Sequence, residues 1–254
     1  MHLAVVSLAR TGSTVLAQVL AKKFDLKLLG EIYNSNFPDP IYQLGEISAR
    51  THWVNLHQGT ESVTKIMGHN LLNEQQRRGR CPAFQEVPWD QFDRILFTTR
   101  QNFPDCVASV GIANIRKKWH HQTDTPDQLT ECLPISESHY RWASYEYYAF
   151  LKARQKLMAT LPEKCISVPY EIFSYDSCHK SWYLSKLTGW QFAPEHFENT
   201  RNRSHGFVYP LLCDNYRQII DWCQRDYGTW CATSISADLI EPHLPDWGFQ
   251  TIPD

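Results

Sequence analysis

Short apolar runs alternate with longer stretches of helical periodicity along most of the chain. The first run, residues 2–8, is rich in β-branched residues and shows no alternation of polar and apolar positions. Such a run predicts a strand that is buried on both faces, as in a parallel sheet. Apolar residues then recur at helical spacing as far as residue 23. Strand, tight turn and helix in this order predict the first half of a β-α-β unit.

The same alternation continues downstream. Further strands are predicted at residues 26–29, Ser62–Met67, Arg94–Thr99 and 165–168. Further helices are predicted at residues 104–118, 136–161, 175–187 and 211–227. Alternating strands and helices indicate an α/β fold, here a three-layer α/β/α arrangement around a mostly parallel sheet. Because no repeat or linker interrupts the pattern, we expect a single domain over residues 1–254 with loop insertions near 34–60, 120–135 and 192–210.

The charge balance limits the classes of partner. The 25 Lys and Arg residues nearly cancel the 27 Asp and Glu residues, giving a net charge of −2. A protein that coats nucleic acid or an anionic membrane is more basic than this. No apolar run approaches the roughly 18 residues of a membrane span. We therefore expect neither a nucleic-acid partner nor a membrane span, and any anion site must be a local cluster.

The eight cysteines do not form a metal-binding pattern. They contain no Cys-x-x-Cys pair, and a zinc site needs ligands at such short paired spacings. No bound metal is therefore expected. The first ten residues also lack the basic start and the cleavage site of a signal peptide. These features predict a protein of the cytoplasm with reduced cysteines.

The tight turn after the first strand has the composition of an anion site. Arg10 supplies a positive fork, and Gly12 lets the backbone approach an oxyanion closely. Ser13 and Thr14 add hydroxyl donors at the start of a helix, where unpaired N–H groups and the positive end of the dipole also lie. An ordinary helix cap explains the same residues without a ligand. The phosphate loop of nucleotide-hydrolysing proteins would have glycine in place of Ser7 and lysine in place of Ser13.

The turn resembles the 5′-phosphosulfate-binding loop of sulfotransferases, enzymes whose donor is 3′-phosphoadenosine 5′-phosphosulfate (PAPS). That loop carries Lys or Arg, a small residue, Gly and two Ser or Thr residues between the first strand and the first helix. The residues that match it in order are Arg10, Thr11, Gly12, Ser13 and Thr14. The resemblance implies a fold like that of the P-loop nucleoside-triphosphate hydrolases and a cofactor-binding role for these five residues.

A second anion motif follows the strand Arg94–Thr99. Arg100 lies at the carboxyl end of that strand, where α/β sheets bind ligands, and Ser109 lies two turns into the next helix. The pair is similar to the sulfotransferase motif for the 3′-phosphate of PAPS, although its spacing of nine positions is one more than is usual in the family. Residues 200–205 resemble the late family loop that covers the 3′-phosphate, which implies roles for Arg201 and Arg203. A basic loop exposed to solvent is the other interpretation of that segment.

Two residues are candidates for the general base that takes the proton of the acceptor. Glu31 follows the second strand and resembles the carboxylate segment of bacterial glycolipid-type and tyrosylprotein sulfotransferases. His69 follows the third strand and is similar to the Lys-Thr-His segment of cytosolic sulfotransferases, although it lies four residues after Lys65 rather than two. We favour Glu31, with His69 as a second base or substrate contact. Lys65 would neutralise the sulfonate or the bridging oxygen.

The resemblance implies a PAPS-dependent sulfotransferase that moves a sulfuryl group to an acceptor hydroxyl or amine by in-line displacement, without a metal ion. The acceptor stays open among small molecules, carbohydrates and lipids, and the oligomeric state also stays open. Two alternatives remain at this stage. One is a kinase with a degenerate phosphate loop, which would need ATP and Mg²⁺. The other is a protein that binds a nucleotide or a partner without catalysis.

Overall fold

The chain divides into two compact units. The first unit contains Met1–Thr99 and Ala149–Thr200, and the second contains Arg100–Tyr148 and Arg201–Asp254. The residues that this computed structural model describes are 1–31, 60–68, 84, 87–116, 132–198, 200, 209–231 and 234–235.

Five parallel strands form the sheet of the first unit. Their bounds are β1 His2–Ser7, β2 Lys27–Gly30, β3 Ser62–Met67, β4 Arg94–Thr99 and β5 Cys165–Pro169. The strand order is β2-β3-β1-β4-β5, so β1 is central and pairs with both β3 and β4. The predicted bounds of β3 and β4 are confirmed, and those of the other three strands agree within one residue at either end.

Six α-helices accompany the strands among the described residues. Their bounds are α1 Ser13–Phe24, α2 Phe103–Ile115, α3 Glu137–Thr160, α4 Ser177–Thr188, α5 Tyr209–Leu212 and α6 Tyr216–Tyr227. The predicted insertion at 34–60 lies outside the described residues except for its last position, and the one at 120–135 is described only from residue 132. No helix within the described ranges is both long and apolar enough to cross a membrane.

Helices cover both faces of the sheet. On one face, α1 and α4 share an apolar cluster with alternate residues of β1, among them Leu3 and Val5. On the other face, Phe150 of α3 lies against Phe97 of β4, with ring centroids 6.1 Å apart. This confirms the predicted three-layer α/β/α fold around a parallel sheet. Both faces of the central strand β1 are buried, which is why its sequence is an apolar run without alternation.

The second unit is built on α2, α6 and the first part of α3. Helix α2 begins after Asn102, whose side chain accepts a hydrogen bond from the backbone N–H of Asp105 at 3.1 Å. Pro104 in the first turn suits this start, because its missing N–H would have no partner within the helix. Phe103 stacks on Tyr147 of α3 with ring centroids 5.0 Å apart. The unit therefore has an aromatic core of its own.

One predicted helix is divided in two. The periodicity predicts a continuous helix over residues 211–227, but α5 ends at Leu212 and α6 begins three residues after Cys213. The intervening backbone bonds to another segment, since the N–H of Leu133 donates to the carbonyl of Leu212 at 2.9 Å. The side chain of Asn215 accepts from the N–H of Ile135 at 2.9 Å and donates to its carbonyl at 2.7 Å. These long-range bonds replace the helical ones, so periodicity alone does not show the break.

Candidate functional site

The loop between β1 and α1 has a strained backbone. Arg10 and Gly12 are both left-handed, with φ of 64° and 74°. Among the residues that the structure describes, only Arg10 and Asp25 have a positive φ without being glycine. A left-handed arginine costs roughly 1–2 kcal/mol, and strain of this size persists where the surrounding structure enforces it. Turns that mix left-handed and right-handed residues can aim successive backbone N–H groups at one anion.

Gly12 is fixed by its neighbours as well as by its backbone. A Cβ at position 12 would lie 2.9 Å from Cδ2 of Tyr170 and 3.0 Å from Cδ2 of Phe173. The turn that follows β5 therefore packs directly on the loop that follows β1. No side chain other than hydrogen fits at position 12 without moving an aromatic ring.

Replacing Gly12 with alanine should lower the free energy of unfolding by roughly 2–5 kcal/mol, which combines left-handed strain with overpacking against the two rings. Gly189→Ala is the matched control. Gly189 has the same φ of 74°, but a Cβ there would meet nothing within 4 Å, so this variant should lose only roughly 1–2 kcal/mol. Urea unfolding of both variants measures the difference. Equal losses would contradict the close packing on Gly12.

The N-terminus of α1 has no carboxylate and no side-chain cap of its own. Gly12 occupies the capping position, no side chain caps the helix, and its first turn holds no acidic residue. Lys22 and Lys23 lie in the last turn, where cations complement the dipole. The positive end of the helix is thus not neutralised by a carboxylate of its own first turn, which favours an external anion there.

Thr11 faces the protein interior. The side chain is fully buried, and its hydroxyl donates to the carbonyl of Leu8 at 2.8 Å. The same hydroxyl lies 2.7 Å from the hydroxyl of Thr98 on β4. Thr11 therefore ties the loop to the sheet, and only its backbone is left to contribute to anion binding.

Replacing Thr11 with valine should cost roughly 1–3 kcal/mol of folding stability, because buried partners lose their hydrogen bonds while the side-chain volume is kept. Thr160→Val is the control, since the hydroxyl of Thr160 donates to the carbonyl of Lys156 at an exposed position. Thermal or urea unfolding compares the two variants. A loss at Thr11 no greater than at Thr160 would contradict the structural role.

Three residues predicted separately from the sequence meet beside this loop. Lys65 of β3 is buried and forms an ion pair with the carboxylate of Glu31, the residue after β2. The side chains of Lys65 and Glu31 are only 9% and 14% exposed. The ammonium group of Lys65 also donates to the hydroxyl of Thr14 at 3.2 Å. A carboxylate, an ammonium and a hydroxyl are thus held together at the start of α1.

The other predicted residues of this site are described in part. Arg10 is partly exposed, and Ser13 is buried at the first position of α1. His69, the second candidate base, lies outside the described residues, as do Arg201 and Arg203 of the predicted basic loop.

In the second unit, one tyrosine joins the two residues of the second anion motif. Arg100 and Ser109 are 2% and 1% exposed. The ring of Tyr209 lies under the guanidinium of Arg100, 5.0 Å from ring centroid to Cζ. The hydroxyl of Tyr209 donates to that of Ser109 at 3.1 Å. Tyr209 therefore contacts both motif residues although they are nine positions apart in the chain.

Two further polar residues complete this cluster. A carboxylate oxygen of Asp105 lies 3.7 Å from Arg100, and the other accepts a hydrogen bond from the hydroxyl of Tyr216 at 2.5 Å. Burial, together with this bond to Asp105, raises the pKa of Tyr216 above its usual range, so the hydroxyl stays protonated and donates. Sequence reasoning missed Asp105, Tyr209 and Tyr216. Of these three residues, only Asp105 could have been found from the sequence, since it lies between Arg100 and Ser109 in the chain.

A polar cavity of about 210 Å³ also opens in the second unit. It is lined by Tyr140, Arg141, Ser144, Arg225, Asp226 and Tyr227. Arg225 contacts Asp226 through two nitrogens, at 2.5 and 2.9 Å, and Glu137 at 3.2 Å. Arg141 also pairs with Glu137, at 3.0 Å. Both cations of this cavity have carboxylate partners, as Arg100 also does.

Comparison with known proteins identifies no family for this chain. Within the described residues, no group of three or more His, Cys, Asp or Glu side chains is arranged to hold a metal ion. The sequence matches no protein-family model, and no curated protein is significantly similar to it.

Proposed function

We propose that the chain is a PAPS-dependent sulfotransferase with a P-loop-like nucleotide-binding fold. The observation that carries the proposal is the contact of Lys65 with both Glu31 and Thr14 beside the uncapped N-terminus of α1. An anion site, a cation and a carboxylate base are the three parts that sulfuryl transfer requires, and these residues supply each of them.

The loop between β1 and α1 would bind the 5′-phosphosulfate. Backbone N–H groups of the loop and of the first turn of α1 are suited to its oxygens, and Ser13 and Thr14 offer hydroxyls. Arg10 adds a guanidinium fork for the phosphate. The sulfuryl group carries less charge than a phosphoryl group, so these fixed donors suffice without a metal ion.

The reaction would be an in-line displacement at sulfur. Glu31 takes the proton of the acceptor hydroxyl as that oxygen forms a bond to sulfur. The bond between sulfur and the bridging oxygen breaks, and the electron pair goes to the 5′-phosphate of 3′-phosphoadenosine 5′-phosphate (PAP). Lys65 donates to the bridging oxygen or the sulfonate while negative charge develops there. Both residues stay within reach of each other through their ion pair.

Arg100 and Ser109 are the residues proposed to bind the 3′-phosphate. Guanidinium and hydroxyl donors suit a doubly charged phosphomonoester, because one supplies charge and the other direction. The sequence places Arg201 and Arg203 in the segment that would add further positive charge.

Calorimetry tests the proposal against the two alternatives. PAP should bind without a metal ion and more tightly than ATP with Mg²⁺. Radiolabelled PAPS incubated with a panel of phenols, sugars and amines should then give a labelled acceptor. Preference for ATP with Mg²⁺ would indicate the degenerate kinase, and PAP binding without transfer to any acceptor would indicate a non-catalytic nucleotide-binding protein.

A further inference from the structure

Tyr209 contacts both residues of the second anion motif at once. Its ring lies under the guanidinium of Arg100, and its hydroxyl donates to that of Ser109. Tyr209 itself is 2% exposed. Arg100 and Ser109, which together suit a phosphate, are therefore bridged by the neutral side chain of Tyr209.

We propose that Tyr209 is an intramolecular plug of this site, which must leave before a dianionic phosphomonoester can bind Arg100 and Ser109. The identification of that ligand as the 3′-phosphate of PAP rests on the proposed function. The plug itself rests only on the contacts within the second unit.

Burial shows why Tyr209 must move. Arg100 and Ser109 are almost fully covered, so phosphate oxygens cannot reach both residues while Tyr209 lies between them. The measured affinity for the phosphate is then the affinity of the open site multiplied by the fraction of molecules in which Tyr209 has left the site. Any change that weakens the plugged arrangement alone should raise the affinity.

The charges show why a plug is needed and why a phosphate can displace it. A buried guanidinium requires partners for its charge. Asp105 lies 3.7 Å away and also accepts a bond from Tyr216. The aromatic face of Tyr209 adds a cation–π contact to the same guanidinium. A dianion offers charge-assisted hydrogen bonds about twice as strong as neutral ones, so it can replace the tyrosine, whereas a monoanionic diester competes less well.

Tyr209→Phe is the direct test, because it removes the hydroxyl that bonds to Ser109 and keeps the ring on Arg100. The variant should bind PAP more tightly than the wild type, by roughly twofold to tenfold, the equivalent of one neutral hydrogen bond. Adenosine 5′-phosphate, which lacks the 3′-phosphate, should bind both proteins equally. Isothermal titration of the full chain measures both ligands.

Tyr140→Phe is the matched control. Tyr140 is a buried tyrosine of the same unit whose hydroxyl lies 2.9 Å from a carboxylate oxygen of Asp226 and 3.1 Å from the carbonyl of Trp222, either of which can accept its proton. Tyr140→Phe should lose at least as much stability, because its bond is to a carboxylate, without any change in PAP affinity. Unchanged or weaker PAP binding by Tyr209→Phe would overturn the plug, since a tyrosine that only binds the phosphate would weaken binding when its hydroxyl is removed.

Inorganic phosphate separates failure of the plug from failure of the proposed function. Phosphate titrations followed by phosphorus NMR should show tighter binding to Tyr209→Phe than to the wild type. If they do while PAP fails to bind either protein, the plug stands and the sulfotransferase proposal falls. If phosphate binds the two proteins equally, the plug falls, whatever the result with PAP.

Discussion

Replacing Arg10 with alanine should slow sulfuryl transfer by roughly a hundredfold to a thousandfold, the usual loss when one fixed donor to a developing negative charge is removed. Arg10 begins the left-handed part of the loop, with φ of 64°, and its guanidinium would face the 5′-phosphate as it becomes the leaving group. Arg94→Ala is the control, because Arg94 is an exposed arginine at the start of β4 in the same unit. Turnover is measured with an acceptor found in the panel.

A second substitution at position 10 separates function from folding. Arg10→Gly should be more stable than Arg10→Ala by about 1 kcal/mol, because glycine adopts a positive φ without strain. Both variants should be equally slow in transfer. Asp25→Gly is the matched control: Asp25 has φ of 53° at an exposed helix end, so the substitution should relieve strain without affecting transfer. Full activity of Arg10→Gly would contradict the proposed role of the guanidinium.

The fold could be predicted because its main determinant is local in the sequence. The central strand β1 is a short apolar run in which every residue from Leu3 to Ser7 is buried. Helical periodicity marks α1 in the same way, through Leu16, Val19 and Leu20. The break before α6 could not be predicted in this way, since Asn215 bonds to Ile135, which is 80 positions away in the chain.

The candidate site was predictable to the extent that its residues lie at strand ends. Glu31 and Lys65 were selected from the sequence separately, and their ion pair follows because β2 and β3 are neighbouring parallel strands. The inward position of the Thr11 hydroxyl was not predictable, because its partner Thr98 belongs to another strand. Tyr209 lies 100 positions from Ser109, so no motif spacing connects the two.

The ion pair with Lys65 also fixes the orientation of the Glu31 carboxylate, which is the proposed base. A carboxylate held by a buried ammonium is oriented without the freedom of a long exposed side chain, which is the preorganisation that general-base catalysis needs. The contact of Lys65 with Thr14 ties the same pair to the first turn of α1. Donor binding and proton transfer would therefore depend on one connected group of residues.

Glu31→Gln should retain PAP binding and slow sulfuryl transfer by roughly a hundredfold to ten-thousandfold, the range that a general base contributes. The amide oxygen of glutamine can still accept a hydrogen bond from Lys65, so the contact is kept while the proton acceptor is lost. Glu163→Gln is the control, because Glu163 is an exposed glutamate of the same unit. Calorimetry with PAP and turnover with radiolabelled PAPS are measured on the same preparations.

The two measurements on Glu31→Gln have separate meanings. Loss of both PAP binding and turnover would show that Glu31 acts in binding PAPS, through its ion pair with Lys65, and not as the base. Full turnover with normal PAP binding would remove Glu31 from the chemistry and leave His69 as the candidate base. Normal PAP binding with turnover lost is the expected result, since removing a base changes the barrier of the chemical step and not the binding of the donor.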